Sequence, residues 1–93
     1  MKIKVLNRSF ARLGFKYKVE RSRYQEEDFE IIYYKEDRQY RENGRTLLRF
    51  DNLSQLMVCE FVNSEGETKP SFIRKEWVPL IEKQMKLLKW GKF

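Results

Sequence analysis

The chain has 93 residues, of which 41% are hydrophobic and 37% are charged, and its formal net charge is +6. This length and composition predict one folded domain over residues 1–93, with a modest core and little room for a deep substrate cleft. The positive charge excludes a strongly acidic DNA mimic, and it is compatible with an anionic partner without requiring one. No apolar run approaches the length of a membrane span and no secretory signal is evident, so we expect a cytoplasmic protein without membrane contact.

Histidine is absent and Cys59 is the only cysteine. Without histidine the chain lacks Ser-His and Cys-His nucleophilic sites, an imidazole base and the usual zinc ligands. We therefore expect a non-enzymatic protein that holds no cofactor and no metal. Cys59 lies in the apolar run of residues 56–59, which predicts a buried and unreactive thiol.

The N-terminal part predicts a short helix followed by a strand. Apolar residues recur at steps of three and four, so we predict a helix over residues 4–13 that ends at Gly14. Apolar alternation over residues 3–5 leaves a short opening strand as the alternative. Residues 15–19 then alternate between apolar and polar side chains, which is typical of a half-buried strand.

The middle of the chain predicts an antiparallel meander. Strands are predicted at residues 29–34, 45–50 and 56–62, separated by turns at 21–28, 43–44, 51–52 and 63–66. Asn43-Gly44 is the strongest turn signal, because both residues tolerate positive φ. Residues 71–73 predict a short edge strand, since Pro70 is excluded from a central one.

The closing segment predicts an amphipathic helix over residues 76–90. Steps of four, four and three place the apolar stripe on Trp77, Ile81, Met85 and Leu88. Pro79 is expected in the first turn of this helix, and Gly91 is expected to end it.

These elements predict an α+β fold of two layers. It is an antiparallel meander of four or five strands, with an N-terminal and a C-terminal helix on one face of the sheet. The residues expected to be buried are Ile31 or Ile32, Phe50, Val58, Ile81 and Leu88.

Four motifs carry a resemblance that covers most of the chain. They are residues 10–15 (FARLGF), 31–35 (IIYYK), 48–51 (LRFD) and 81–90 (IEKQMKLLKW). With them the chain resembles a loose group of small proteins encoded by phages and prophages of Gram-positive bacteria. Leu87, Leu88 and Lys89 stand where that group has Glu, Leu and Gly. The resemblance implies a phage accessory protein in the host cytoplasm, and its motifs are structural, so no functional residue is transferred.

The first candidate site is a basic and aromatic stretch near the N-terminus. It consists of Arg12, Lys16, Tyr17, Lys18, Arg21 and Arg23. Positive charge interleaved with an aromatic side chain is typical of surfaces that bind single-stranded nucleic acid. The same alternation fits an amphipathic strand whose tyrosine faces the core and whose lysines face solvent, and we favour this interpretation.

An acidic cluster is the second candidate. Its members are Glu26, Glu27, Asp28 and Glu30, with Glu36 and Asp37 nearby. Paired carboxylates can bind Mg²⁺ or act in acid–base catalysis, but no phosphate-binding glycine loop accompanies them, so a solvated turn is the favoured interpretation.

The final helix carries the third candidate. Its lysines form a basic side, which can lie on an anionic membrane surface, but its apolar stripe is better explained as cover for the sheet. Trp90 and Phe93, if exposed, are candidate anchors for a protein partner.

These features favour a small, non-enzymatic binding protein. We expect it to dock on a host or phage protein through a face or edge of the sheet and to inhibit or modulate that protein. The alternative is a nucleic-acid-binding accessory protein that uses the basic and aromatic stretch.

Overall fold

The computed structural model describes residues 2–91 and contains one five-stranded antiparallel sheet, in which strand order follows chain order. The chain runs through α1 (Asn7–Ala11), β1 (Lys16–Arg21), β2 (Phe29–Gln39), β3 (Glu42–Asp51), β4 (Leu56–Asn63) and β5 (Thr68–Pro70). A 3₁₀ turn (Lys75–Trp77) then leads into α2 (Val78–Leu87). The predicted α+β meander with a helix near each end is confirmed.

Both helices contact the same face of the sheet, which we call the covered face. The ring of Phe10 in α1 stacks on Tyr33 of β2, with ring centroids 3.9 Å apart. Gln84 of α2 hydrogen-bonds to the hydroxyl of the same tyrosine. The core between these layers consists of Phe10, Phe15, Phe29, Ile31, Tyr33, Leu48, Phe50, Trp77, Ile81 and Trp90. The other side of the sheet, which we call the open face, has no helix on it within residues 2–91.

A buried polar network ties both ends of the chain to the central strand. The Tyr33 hydroxyl donates to Oε1 of Gln84 and accepts the N–H of Leu6 at 2.9 Å. Nε2 of Gln84 donates to the carbonyl oxygen of Lys4 at 2.9 Å. Burial raises the pKa of Tyr33 to about 12, so its hydroxyl keeps its proton at physiological pH. Because Leu6 and Lys4 direct backbone groups into this network, the first helix begins later than predicted.

The end of α1 confirms the predicted role of Gly14. Gly14 has φ +90°, its N–H donates to the carbonyl of Ala11, and the N–H of Phe15 donates to the carbonyl of Phe10. This pair of bonds is the Schellman motif, and the rings of Phe10 and Phe15 meet edge to face across it.

The predicted turn at Asn43-Gly44 is wrong. The tight turn between β2 and β3 lies at Tyr40 and Arg41, whose φ angles are 54° and 60°, and Gly44 is inside β3. A Cβ atom on Gly44 would lie 2.2 Å from the carbonyl oxygen of Val62. Glycine is therefore needed here for the close approach of β3 and β4 rather than for a turn.

The edge strand and the burial of three side chains also differ from the predictions. The edge strand is Thr68–Pro70 rather than residues 71–73. Val58 is 43% exposed, because alternation along β4 directs it to the open face, where it pairs with Arg49. Cys59 and Leu88 are half-buried rather than fully buried. The other positions expected to be buried, Ile31, Ile32, Phe50 and Ile81, are buried.

The final helix is shorter than predicted and ends at a strained residue. Pro79 lies in its first turn, as predicted. Lys89 has φ +57°, its N–H donates to the carbonyl of Lys86, and the N–H of Trp90 donates to the carbonyl of Met85. This is a second Schellman motif, and it places a lysine in the left-handed position that favours glycine.

We therefore expect Lys89→Gly to stabilise the protein by about 0.5–1 kcal/mol. Glycine removes the strain of a left-handed residue that carries a side chain, and the greater conformational entropy of glycine in the unfolded chain offsets part of this gain. The melting temperature should rise by about 3–6 °C in calorimetry. Lys83→Gly, in the middle of α2, is the control and should cost about 1 kcal/mol. Destabilisation by Lys89→Gly would contradict the described cap.

Candidate functional site

The open face of the sheet carries apolar side chains on three strands, interrupted by Arg49 and Glu60, which pair with Val58 and Leu47 in the register. Ile32 and Tyr34 of β2, Leu47 of β3, and Val58 and Val62 of β4 occupy neighbouring positions on it. Tyr34 pairs directly with Leu47 in the sheet register. We call these five residues the apolar strip.

The strip becomes more exposed toward β4. Ile32 is buried, whereas Tyr34, Leu47 and Val62 are half-buried. Val58 is 43% exposed, and Leu56 beside it is 60% exposed. Single exposed apolar residues are normal on a monomer, whereas neighbouring ones are typical of contact surfaces, so Val58 and Leu56 are candidate contact residues.

Ion pairs lie among the residues of the apolar strip, since Arg49 stands between Ile32 and Val58 and Glu60 stands between Val58 and Val62 on the same face. Nε and Nη2 of Arg49 each lie 3.0 Å from a carboxylate oxygen of Glu30, and Nη1 lies 3.4 Å from Glu60. The hydrogen bonds that Arg49 donates to Glu30 are the largest cause of the raised pKa of Arg49. Because two-pronged Arg–carboxylate contacts restrict both side chains, this group is a defined polar element within the strip.

The charges on the open face balance. By sheet register its cations are Lys16, Lys18, Arg38, Arg45 and Arg49, and its carboxylates are Glu20, Glu30, Glu36, Asp51 and Glu60. Lys18 pairs with Glu20 at 3.3 Å and Arg45 pairs with Glu36 at 2.9 Å. The net charge of +6 therefore lies elsewhere on the molecule, and the open face as a whole does not favour a polyanion.

The structure separates the members of the basic and aromatic stretch. Lys16 and Lys18 lie on the open face, while Tyr17 lies on the opposite side of β1 with its ring 6.3 Å from that of Tyr33. Arg21, at the end of β1, shares the side of Tyr17. Arg12 follows α1 and Arg23 lies in the loop after β1. The stretch therefore does not form one basic surface around Tyr17.

Trp90 is buried, which corrects the expectation that it anchors a partner. Its side chain is 2% exposed, it packs near Phe50, and its indole N–H donates to Oδ1 of Asn52 at 2.7 Å. The Schellman motif at the end of α2 turns the indole inward. Phe93 lies outside the described residues.

The acidic cluster and Cys59 are the remaining candidate groups. Within residues 2–91 no three metal-ligating side chains come together, and this includes the acidic cluster. The Cys59 thiol faces the carbonyl oxygen of Phe72 at 3.8 Å, and burial raises its pKa, which disfavours the nucleophilic thiolate.

Sequence reasoning missed Tyr34 and Arg45 as neighbours on the open face. The Arg45 guanidinium lies over the Tyr34 ring at 5.6 Å. The two residues are eleven positions apart in the chain, and only the true hairpin at Tyr40 and Arg41 brings them together. Because the turn was predicted at the wrong position, the sequence did not predict this contact.

Comparison with family models, with curated proteins and with solved structures finds no match. Among residues 2–91, no helix has the length and apolar character needed to cross a membrane.

Proposed function

We propose that this chain is a non-enzymatic binding protein that docks on another protein through the open face of its sheet. The resemblance to small phage and prophage proteins makes a host or phage protein the partner that we propose. The mode of action is stoichiometric: the bound chain inhibits or modulates its partner by covering it.

The observation that carries this proposal is the apolar strip, together with the ion-paired group around Arg49 that lies among its residues. Val58 is 43% exposed and Leu56 is 60% exposed. Covering them would therefore contribute roughly half of the 1.5–3 kcal/mol that complete burial of such a side chain is worth. The charged groups around Arg49, which lie among these residues, already have their partners within the chain. Apolar side chains interspersed with paired polar groups are compatible with a protein interface, because most such interfaces are about as polar as the rest of the protein surface.

The test compares two variants with the same substitution at similar exposure. Val58 on the open face is 43% exposed and Val78 on α2 is 39% exposed. Each is changed to Glu, and the immobilised proteins are incubated with nuclease-treated lysate of a Gram-positive bacterium. We expect one protein to be retained at fixed stoichiometry by the wild type and by Val78→Glu, with at least a tenfold loss for Val58→Glu. Equal retention by the two variants would contradict docking through the open face.

The alternative is nucleic-acid binding, and one observation favours it: Lys16 pairs with Tyr34 across the sheet, which places a cation beside an aromatic ring. Phosphate contacts make affinity fall steeply with salt. Labelled single- and double-stranded oligonucleotides, titrated at low and physiological salt, should show no micromolar binding at physiological salt. Micromolar binding that is lost when Lys16 and Lys18 are both changed to Glu would favour the alternative instead.

A further inference from the structure

The outer edge of β1 carries backbone groups that no other strand pairs. β1 is the first strand of the sheet and pairs only with β2, so one of its two edges is open. The opposite edge of the sheet is less suited to pairing, because β5 has only three residues and Pro70 has no N–H to donate. Within residues 2–91, β1 therefore provides the longer open edge of the sheet.

Hydrogen bonding to β2 identifies the residues of β1 whose backbone groups point outward. The N–H of Ser22 donates to the carbonyl oxygen of Asp28 at 2.8 Å, and this pair is in register with the pairing of β1 and β2. Hydrogen-bonded and non-hydrogen-bonded pairs alternate in an antiparallel ladder, so the N–H and C=O groups of Tyr17, Val19 and Arg21 point away from β2. Within residues 2–91 these groups have no backbone partner. We call these three residues the free edge.

The free edge can pair with the same edge of a second copy in an antiparallel register centred on Val19. Val19 then lies on a two-fold axis opposite Val19 of the second copy, and Tyr17 lies opposite Arg21. Each of the three pairs exchanges two hydrogen bonds, so roughly six form. Centring the pairing on Lys18 or on Glu20 leaves only two such pairs and places identical charges opposite each other.

Opposite charges meet in the register centred on Val19. On the open face, Lys18 lies directly opposite Glu20 of the second copy, and Glu20 lies opposite Lys18. These positions are non-hydrogen-bonded pairs, in which cross-strand side chains approach most closely. Within one chain the two side chains already pair at 3.3 Å, so the four charges would alternate in sign. On the covered face, the ring of Tyr17, which is 38% exposed, would lie beside Arg21.

We propose that β1 pairs with β1 of a second copy of this chain, which joins the two sheets into one continuous sheet. Lysine on an edge strand usually opposes pairing with another chain. Here Glu20 lies two residues after Lys18 on the same face, and this spacing makes the edge complementary to itself. The dimer does not depend on the docking function proposed above, and the purified protein alone tests it.

Sedimentation equilibrium of the purified protein at physiological salt measures the monomer–dimer equilibrium. Lys18→Glu and Glu20→Lys should each raise the Kd of the dimer about tenfold, because each creates two like-charge contacts across the two-fold axis. The double variant Lys18→Glu/Glu20→Lys restores opposite charges and should return the Kd to within threefold of the wild type. Arg38→Glu, an exposed position on the open face beyond the end of β1, is the control and should change the Kd less than threefold.

Amide hydrogen exchange identifies the edge that pairs. We expect exchange at Tyr17, Val19 and Arg21 to slow at least tenfold when the protein concentration is raised from below the Kd to above it. The amides of Lys18 and Glu20 already bond to β2 and should change less than threefold.

A protein that stays monomeric at millimolar concentration would overturn the proposal, and so would a dimer whose Kd is the same in the single and double variants. Protection of the three free-edge amides only after nuclease-treated lysate is added would assign the edge to a strand of another protein, which would overturn pairing with a second copy.

Discussion

Replacing Ile81 by alanine is expected to lower the free energy of unfolding by about 2–4 kcal/mol. Ile81 is 5% exposed and belongs to the core between α2 and the sheet. Removing its side chain loses the transfer free energy of the deleted carbons and leaves a cavity that the surrounding aromatic rings fill only in part. Urea denaturation with an unchanged m value measures this loss as a lower midpoint.

Val78→Ala is the matched control, since it shortens a β-branched side chain in the same helix at a position that is 39% exposed. It should change stability by less than about 0.5 kcal/mol. A cost for Ile81→Ala as small as that of the control would place Ile81 on the surface and contradict the packing of α2 on the sheet.

Gly44→Ala is expected to cost about 3 kcal/mol or more, at the upper end of overpacking effects. The added Cβ would lie 2.2 Å from the carbonyl oxygen of Val62 and 2.8 Å from Cα of Asn63. Both are backbone atoms of β4, so relief requires the two strands to separate and to lose hydrogen bonds. The measurement is again the urea midpoint, with NMR to locate the perturbed strand pair.

Gly66→Ala separates this steric cost from the cost of a positive φ. Gly66 has φ +85° and no atom within 4 Å of an added Cβ, so its substitution should cost only about 1 kcal/mol. If Gly44→Ala is no more costly than Gly66→Ala, β3 and β4 are farther apart than described.

The sequence predicts the class and order of the elements because each carries a local signal. Apolar alternation marks the strands, and the stripe from Trp77 to Leu88 marks the final helix. The position of Gly14 is equally local, since a left-handed helix cap depends on a few backbone bonds. These features need no knowledge of distant parts of the chain.

The misplaced hairpin shows where local signals fail. Asn43-Gly44 has the composition of a two-residue turn. Gly44 is instead needed inside β3 because the backbone of β4, which comes later in the chain, packs too close to it for a side chain. Tyr40 and Arg41 adopt positive φ without the usual residues for it. Only the pairing of Thr46 with Lys35 and of Leu48 with Tyr33 fixes the register that imposes this turn.

Long-range packing also decides which side chains are available at the surface. Trp90 follows the end of α2, and nothing near it in sequence indicates that its indole reaches Asn52. Gln84 lies on the apolar side of α2 and is fully buried, because Tyr33 and Lys4 supply its hydrogen bonds. From the sequence, a two-layer fold predicts only that one side of the sheet has no helix on it. Which apolar side chains lie together on that side depends on the strand register, and the sequence does not reveal the register.

The central claim is that the open face binds a protein, and site-specific photo-crosslinking tests it most directly. A benzophenone amino acid replaces Val58 in one variant and Val78 in another, and both are irradiated in nuclease-treated lysate of a Gram-positive bacterium. We expect one discrete protein adduct from position 58 and none of that mass from position 78. The same adduct from both positions, or no adduct at position 58, would contradict docking through the open face.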